Sequence, residues 1–67
     1  MAPYRKMATQ VKSALGRQKM TQSELARKSG QSAMQISRIL SGKYMPSAIS
    51  LHRVAHALNC EVSDFFS

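Results

Sequence analysis

The stretch that decides the fold is Thr21-Gln22-Ser23-Glu24-Leu25-Ala26-Arg27-Lys28-Ser29-Gly30-Gln31-Ser32-Ala33-Met34-Gln35-Ile36-Ser37-Arg38-Ile39-Leu40-Ser41-Gly42. It contains one start signal twice. Thr21 with Glu24, and Ser32 with Gln35, each set a hydroxyl three residues ahead of a Glu or Gln. The hydroxyl can then accept from the third helical amide while that residue's side chain returns to the cap's own amide. A stop signal also occurs twice, at Gly30 and Gly42, because glycine enters the left-handed turn that closes a helix at no steric cost. Leu25 and Ala26 supply the inward positions of the first segment, and Ile36, Ile39 and Leu40 those of the second. The pattern predicts two short helices joined by a tight turn at Gly30-Gln31.

Upstream, Met7, Val11, Ala14 and Leu15 recur at helical spacing and predict an amphipathic helix ending between Arg17 and Lys19. Downstream, Ser41 to Met45 is a polar loop and Pro46 forbids helix through that point. Ser47 is placed to cap a fourth helix with Ile49, Leu51, Val54, Ala55 and Leu58 inward, and Asn59 suits its left-handed end. Val62, Phe65 and Phe66 make a last apolar turn. No stretch alternates with period two, so the class expected is all-α, with five short helices.

Sixty-seven residues allow one domain, expected over 1–67 with residues 1–6 as a flexible basic arm, and leave little room for a catalytic cleft. No nucleophile, acid–base pair or nucleotide-binding loop stands out, so no enzyme is expected. Ten Lys or Arg oppose three Asp or Glu, for a net charge of +7. Nine of the ten lie between Arg5 and Lys43, while Glu61 and Asp64 sit near the C-terminus. A small body so charged attracts polyanions. The single Cys60 excludes an internal disulfide and suits a reducing cytoplasm. Neither a membrane-spanning run nor a signal-peptide pattern is found, so a cytoplasmic protein is expected. His52, His56 and Cys60 fall four residues apart, but Asn59 should end the helix before Cys60, and neither metal nor cofactor is expected.

Two helices joined by a short glycine turn form the helix-turn-helix unit. Ala26 is small because the second helix must cross close by. Ile36 and Ile39 anchor that second helix, which frees Ala33, Met34, Ser37 and Arg38 to face outward. Together with Lys43, Pro46-Ser47, Leu51, Val54-Ala55 and Ala57-Leu58, the quoted stretch resembles the lambda-repressor-like (Xre, Cro/repressor-type) DNA-binding family over about residues 7 to 66. The resemblance implies a compact five-helix bundle whose helices 2 and 3 form the helix-turn-helix. It implies binding to double-stranded operator DNA as a homodimer, and regulation of transcription. Two positions depart from the family pattern. Gln31 stands at a turn position that is often apolar, and Glu61 where the last helix usually has a Ser or Asp cap.

By the same resemblance Ala33, Met34, Ser37 and Arg38 contact bases, and Gln22 holds a phosphate from the first helical position. Their chemistry fits. Arg can bond guanine bidentately, Ser is permissive, and Ala and Met can pack on a thymine methyl. Arg38 is equally suited to a phosphate or an ion pair. Ser32 and Gln35 suit backbone and base alike and are assigned to backbone. Lys43 follows the Gly42 stop in a loop expected to skim the phosphates, and Tyr44 has a hydroxyl to add. Arg5, Lys6 and Lys12 are placed to extend that footprint, although charges on an exposed helix are usually only solvated. Val62, Phe65 and Phe66 are expected at the dimer surface, joined by Ile49 or Met45, with one phenylalanine taken by the core. A rival reading is an antitoxin that binds its own operator and a toxin partner, a role that usually needs an extension this chain hardly has. A membrane-active cationic peptide would not need caps and a turn glycine.

Overall fold

The computed structural model describes residues 3–66. Four α-helices follow one another: α1 (Arg5–Arg17), α2 (Gln22–Ser29), α3 (Ala33–Ser41) and α4 (Ala48–Ala57). A 3-10 turn, Val62–Phe66, takes the place of the expected fifth α-helix. Its geometry has a local cause. The Asp64 amide donates to the Glu61 carbonyl at 3.0 Å, an i to i+3 bond, and Val62 and Phe65 stand three apart, where a 3-10 turn stacks side chains on one side. The Asp64 carboxylate also accepts from the Glu61 amide at 3.1 Å. Asp64 thus caps the turn from inside, where the family pattern has a cap at position 61.

The expected caps form. Thr21 and Ser32 each close a complete capping box, and the Ser47 hydroxyl accepts from the Ser50 amide at 3.1 Å. Helices α1, α2 and α4 end in one way, with a left-handed residue and paired amide-to-carbonyl bonds back into the last turn. That residue is Gly30 after α2 and Asn59 after α4. After α1 it is Lys19, at φ 52, where the Met20 amide reaches the Leu15 carbonyl at 3.0 Å. Gly42, at φ 73, closes α3.

Hydrogen bonds from Thr21, from its amide first and its hydroxyl second, hold the Glu24 carboxyl below its ordinary pKa. The ionised form is therefore the one the cap uses. Its contribution is present from the ordinary glutamate range upward and is lost as pH falls through the lowered value. A Glu24→Gln variant keeps the acceptor without the charge. Wild type is therefore expected to melt higher than Glu24→Gln at neutral pH, with the gap closing on acidification. Thermal melts at both pH values check this, and a gap independent of pH contradicts it.

The core collects Met7, Val11, Ala14 and Leu15 from α1, Leu25 and Ala26 from α2, Ile36, Ile39 and Leu40 from α3, Leu51, Val54 and Ala55 from α4, and Leu58 at the C-cap of α4. Phe65 closes it from below at 1% exposure. Helix α1 packs on α3 and the 3-10 turn, and α2 packs on α3 and α4. Ile49, expected inward, is 69% exposed. At about 100° per residue it lies roughly 200° from Leu51 around α4, on the far side from the buried stripe. Side-chain bonds also link elements distant in sequence: Gln18 Nε2 donates to the Leu58 carbonyl, and Gln31 Nε2 donates to the Ser50 carbonyl at 3.2 Å. The Ser50 hydroxyl donates back to Gln31 Oε1. The polar residue at position 31 is thus the strut that holds the α2–α3 turn against α4.

Candidate nucleic-acid interface

With Ile36 fully buried and Ile39 and Leu40 nearly so, the rotation of α3 is fixed. Ala33, Met34, Ser37 and Arg38 are all exposed and fall within an arc of roughly 140°. Met34 is 67% exposed, far more than a residue placed for packing needs. The stripe offers a methyl, a thioether, a hydroxyl and a guanidinium, a set suited to the edges of base pairs in a groove wide enough for a helix.

Gln22 is exposed at the first position of α2, beside the amides that point out of the helix start. Those unpaired amides and the positive end of the helix dipole attract a phosphate. Ser32 and Gln35 are exposed too, but their acceptors are engaged. Ser32 Oγ accepts from the Gln35 amide and Gln35 Oε1 from the Ser32 amide, both at 3.1 Å. The Ser32 hydroxyl proton and Gln35 Nε2 remain as donors, which suits the pure acceptors of a phosphate.

The loop after α3 is organised by Ser41. Its hydroxyl donates to the Arg38 carbonyl at 2.7 Å and accepts from the Lys43 amide at 3.2 Å. Lys43 and Tyr44 are exposed, and the Arg38 guanidinium lies over the Tyr44 ring, 5.8 Å from its centroid. Gln35, Arg38, Tyr44, Met45 and Ser47 line an open cleft of about 320 Å³ here. The Tyr4 amide donates to the Gly42 carbonyl at 2.8 Å, so the start of α1 meets the end of α3. Residues 4–6, part of the arm expected over 1–6, are thus placed at the start of α1 and against the end of α3. Arg5 and Lys6 already belong to α1, and Met1 and Ala2 lie outside the described residues. Arg5 and Lys6 consequently share a neighbourhood with Lys43. Lys12 sits two turns further on, about 10 Å along the helix.

Other basic residues face elsewhere. Arg27, Lys28 and Arg53 line an open cleft of about 450 Å³ between α2 and α4, together with the exposed His52 and His56. Cys60 is half-buried against the core, and burial, reinforced by Asp64, pushes its thiol pKa up. Among the described residues no group of three or more His, Cys, Asp or Glu side chains is placed to hold a metal. Nor is any helix among them long and apolar enough to cross a membrane. At the expected dimer surface Phe65 is a correction. The core has taken its side chain, which cannot also be a surface, whereas Val62 is half-buried and Phe66 is 46% exposed. The Arg38–Tyr44 contact and the Tyr4–Gly42 clasp were not anticipated.

A capped pair of helices at a glycine turn, the second anchored by isoleucines and bearing an outward stripe of mixed chemistry, defines a helix-turn-helix DNA-binding module. The chain belongs to the helix-turn-helix family, in its lambda-repressor-like (Xre) type, since the Helix-turn-helix family model matches residues 11–65. It is a DNA-binding regulator of transcription. Among solved structures it is similar to the restriction-modification controller protein C.AhdI from Aeromonas hydrophila, at a TM-score of 0.90. The match covers 98% of this chain and 100% of that one at 21% identity, a likeness of fold. No curated protein sequence matches.

Proposed function

We propose that the protein is a repressor that binds a pseudo-palindromic operator as a homodimer, with α3 in the major groove. The observation that carries this is the outward stripe of Ala33, Met34, Ser37 and Arg38 on a helix whose opposite face is locked in the core. In this reading those four side chains read bases, with Arg38 on a guanine and Ala33 and Met34 against thymine methyls. Gln22, Ser32, Gln35 and Lys43 hold the sugar–phosphate backbone on either side. Phe66 and Val62, with Ile49 or Met45, supply the surface between two copies, whose α3 helices then stand about 34 Å apart, one turn of the duplex. The fold shared with a restriction-modification controller protein fits a regulatory role.

The two classes of contact predict different failures. Arg38→Ala is expected to lower discrimination by about 1–3 kcal/mol at one or two positions per half-site. Gln22→Ala is expected to weaken every duplex by a similar factor. Titrations of both variants against a duplex enriched by the wild-type protein from a random-sequence pool, and against single-base variants of it, separate the two. If Arg38→Ala weakens all duplexes evenly, Arg38 contacts phosphate and the assignment of base reading to it is wrong.

A further inference from the structure

A base-reading arginine has a physical handicap. Its side chain carries several freely rotating bonds, yet bidentate recognition of guanine needs the guanidinium plane held at one angle. An exposed helix supplies no wall to hold it. Arg38 is exposed on α3, but it is not left to itself: its guanidinium lies 5.8 Å from the centroid of the Tyr44 ring, within the range of a cation–π contact. A ring on one side of the guanidinium restricts where the side chain can swing and leaves N–H groups on the other side open for a base.

The ring stands there because the intervening turn is fastened at three points. The Ser41 hydroxyl donates to the Arg38 carbonyl and accepts from the Lys43 amide, at 2.7 and 3.2 Å. Gly42 turns the chain at φ 73. The Gly42 carbonyl accepts from the Tyr4 amide at 2.8 Å, which anchors the turn to the start of α1. Tyr44 thus follows a turn fastened to Arg38 itself and stays 56% exposed, with no share in the core.

We infer that Tyr44 is a positioning residue that sets base specificity through Arg38, holding the guanidinium in its reading orientation, rather than through its own hydroxyl on a phosphate. This rests on the reading of α3 as the base-reading helix with Arg38 among its readers.

The test uses the full chain, the duplex enriched from a random-sequence pool, and the same duplex altered at the position that Arg38→Ala relaxes. The readout is the ratio of the two affinities. Tyr44→Ala is expected to lower that ratio about two- to fivefold, the worth of an exposed cation–π contact. Tyr44→Phe keeps the ring and loses the hydroxyl, and is expected to keep the ratio. In an Arg38→Ala background, Tyr44→Ala is expected to lower the ratio no further. Three outcomes overturn the inference. If Tyr44→Phe and Tyr44→Ala weaken both duplexes alike, Tyr44 is a phosphate contact. If Arg38→Ala lowers the ratio and Tyr44→Ala does not, Arg38 needs no ring and only this inference fails. If no duplex is enriched, or Arg38→Ala relaxes no position, the reading of α3 fails and this inference fails with it.

Discussion

Replacing Phe65 with Ala is expected to destabilise the domain by about 3–5 kcal/mol, the usual cost of emptying a buried aromatic site. A domain of 67 residues has a total stability of about 3–10 kcal/mol, so the variant is expected to be largely unfolded near body temperature. The size of the effect follows from position. Phe65 is 1% exposed and anchors the 3-10 turn, which packs on both α1 and α4. Its neighbour Phe66 is 46% exposed, so Phe66→Ala is expected to leave the thermal midpoint nearly unchanged and to act, if it acts, on self-association. Thermal melts of the two variants check this together. Equal midpoints would contradict the docked turn.

Salt is expected to have the larger effect on binding. The Tyr4 amide clasps the Gly42 carbonyl, so Arg5 and Lys6 follow in chain on one side of that bond and Lys43 on the other, three cations per protomer carried by backbone near the end of α3. In a dimer that neutralises about six phosphates, log K falls with log salt at a slope of about −5, a loss of roughly a thousandfold between about 50 and 200 mM. Lys43→Ala removes one contact per protomer and is expected to reduce the slope by about 2. Titrations at several salt concentrations measure both. A slope near zero would mean that these cations do not face the duplex.

What could be read from the sequence was what is decided locally. A capping box is a four-residue event, and both boxes form at Thr21 and Ser32. Gly30, Gly42 and Asn59 take the left-handed turns expected of them, and the apolar stripes of α1 and α3 are buried as their spacing requires. Features decided by rotation or by distance were harder. Ile49 lies two residues before Leu51, a separation that in a helix reverses the face, so grouping the two by hydrophobicity put Ile49 on the wrong side. Between Phe65 and Phe66, the core's choice depends on how a single 3-10 turn seats against α1 and α4, which no local pattern encodes. Gln31 stood out only as a polar residue at a position often apolar, and its partner Ser50 is nineteen residues away. For the site itself, the exposure of Ala33, Met34, Ser37 and Arg38 followed from the isoleucine anchors. The contact of Arg38 with the Tyr44 ring crosses a helix end, where helical spacing no longer tells which side chains meet.

The central claim is that the exposed face of α3 reads a defined sequence. Selection from a random-sequence duplex pool with the full chain, run beside Arg38→Ala, tests it most directly. The account predicts one enriched motif made of two inverted half-sites, with centres about 10 base pairs apart. It also predicts loss of preference at one or two positions per half-site in the variant. A pool left without an enriched motif, or one identical motif from both proteins, would contradict it.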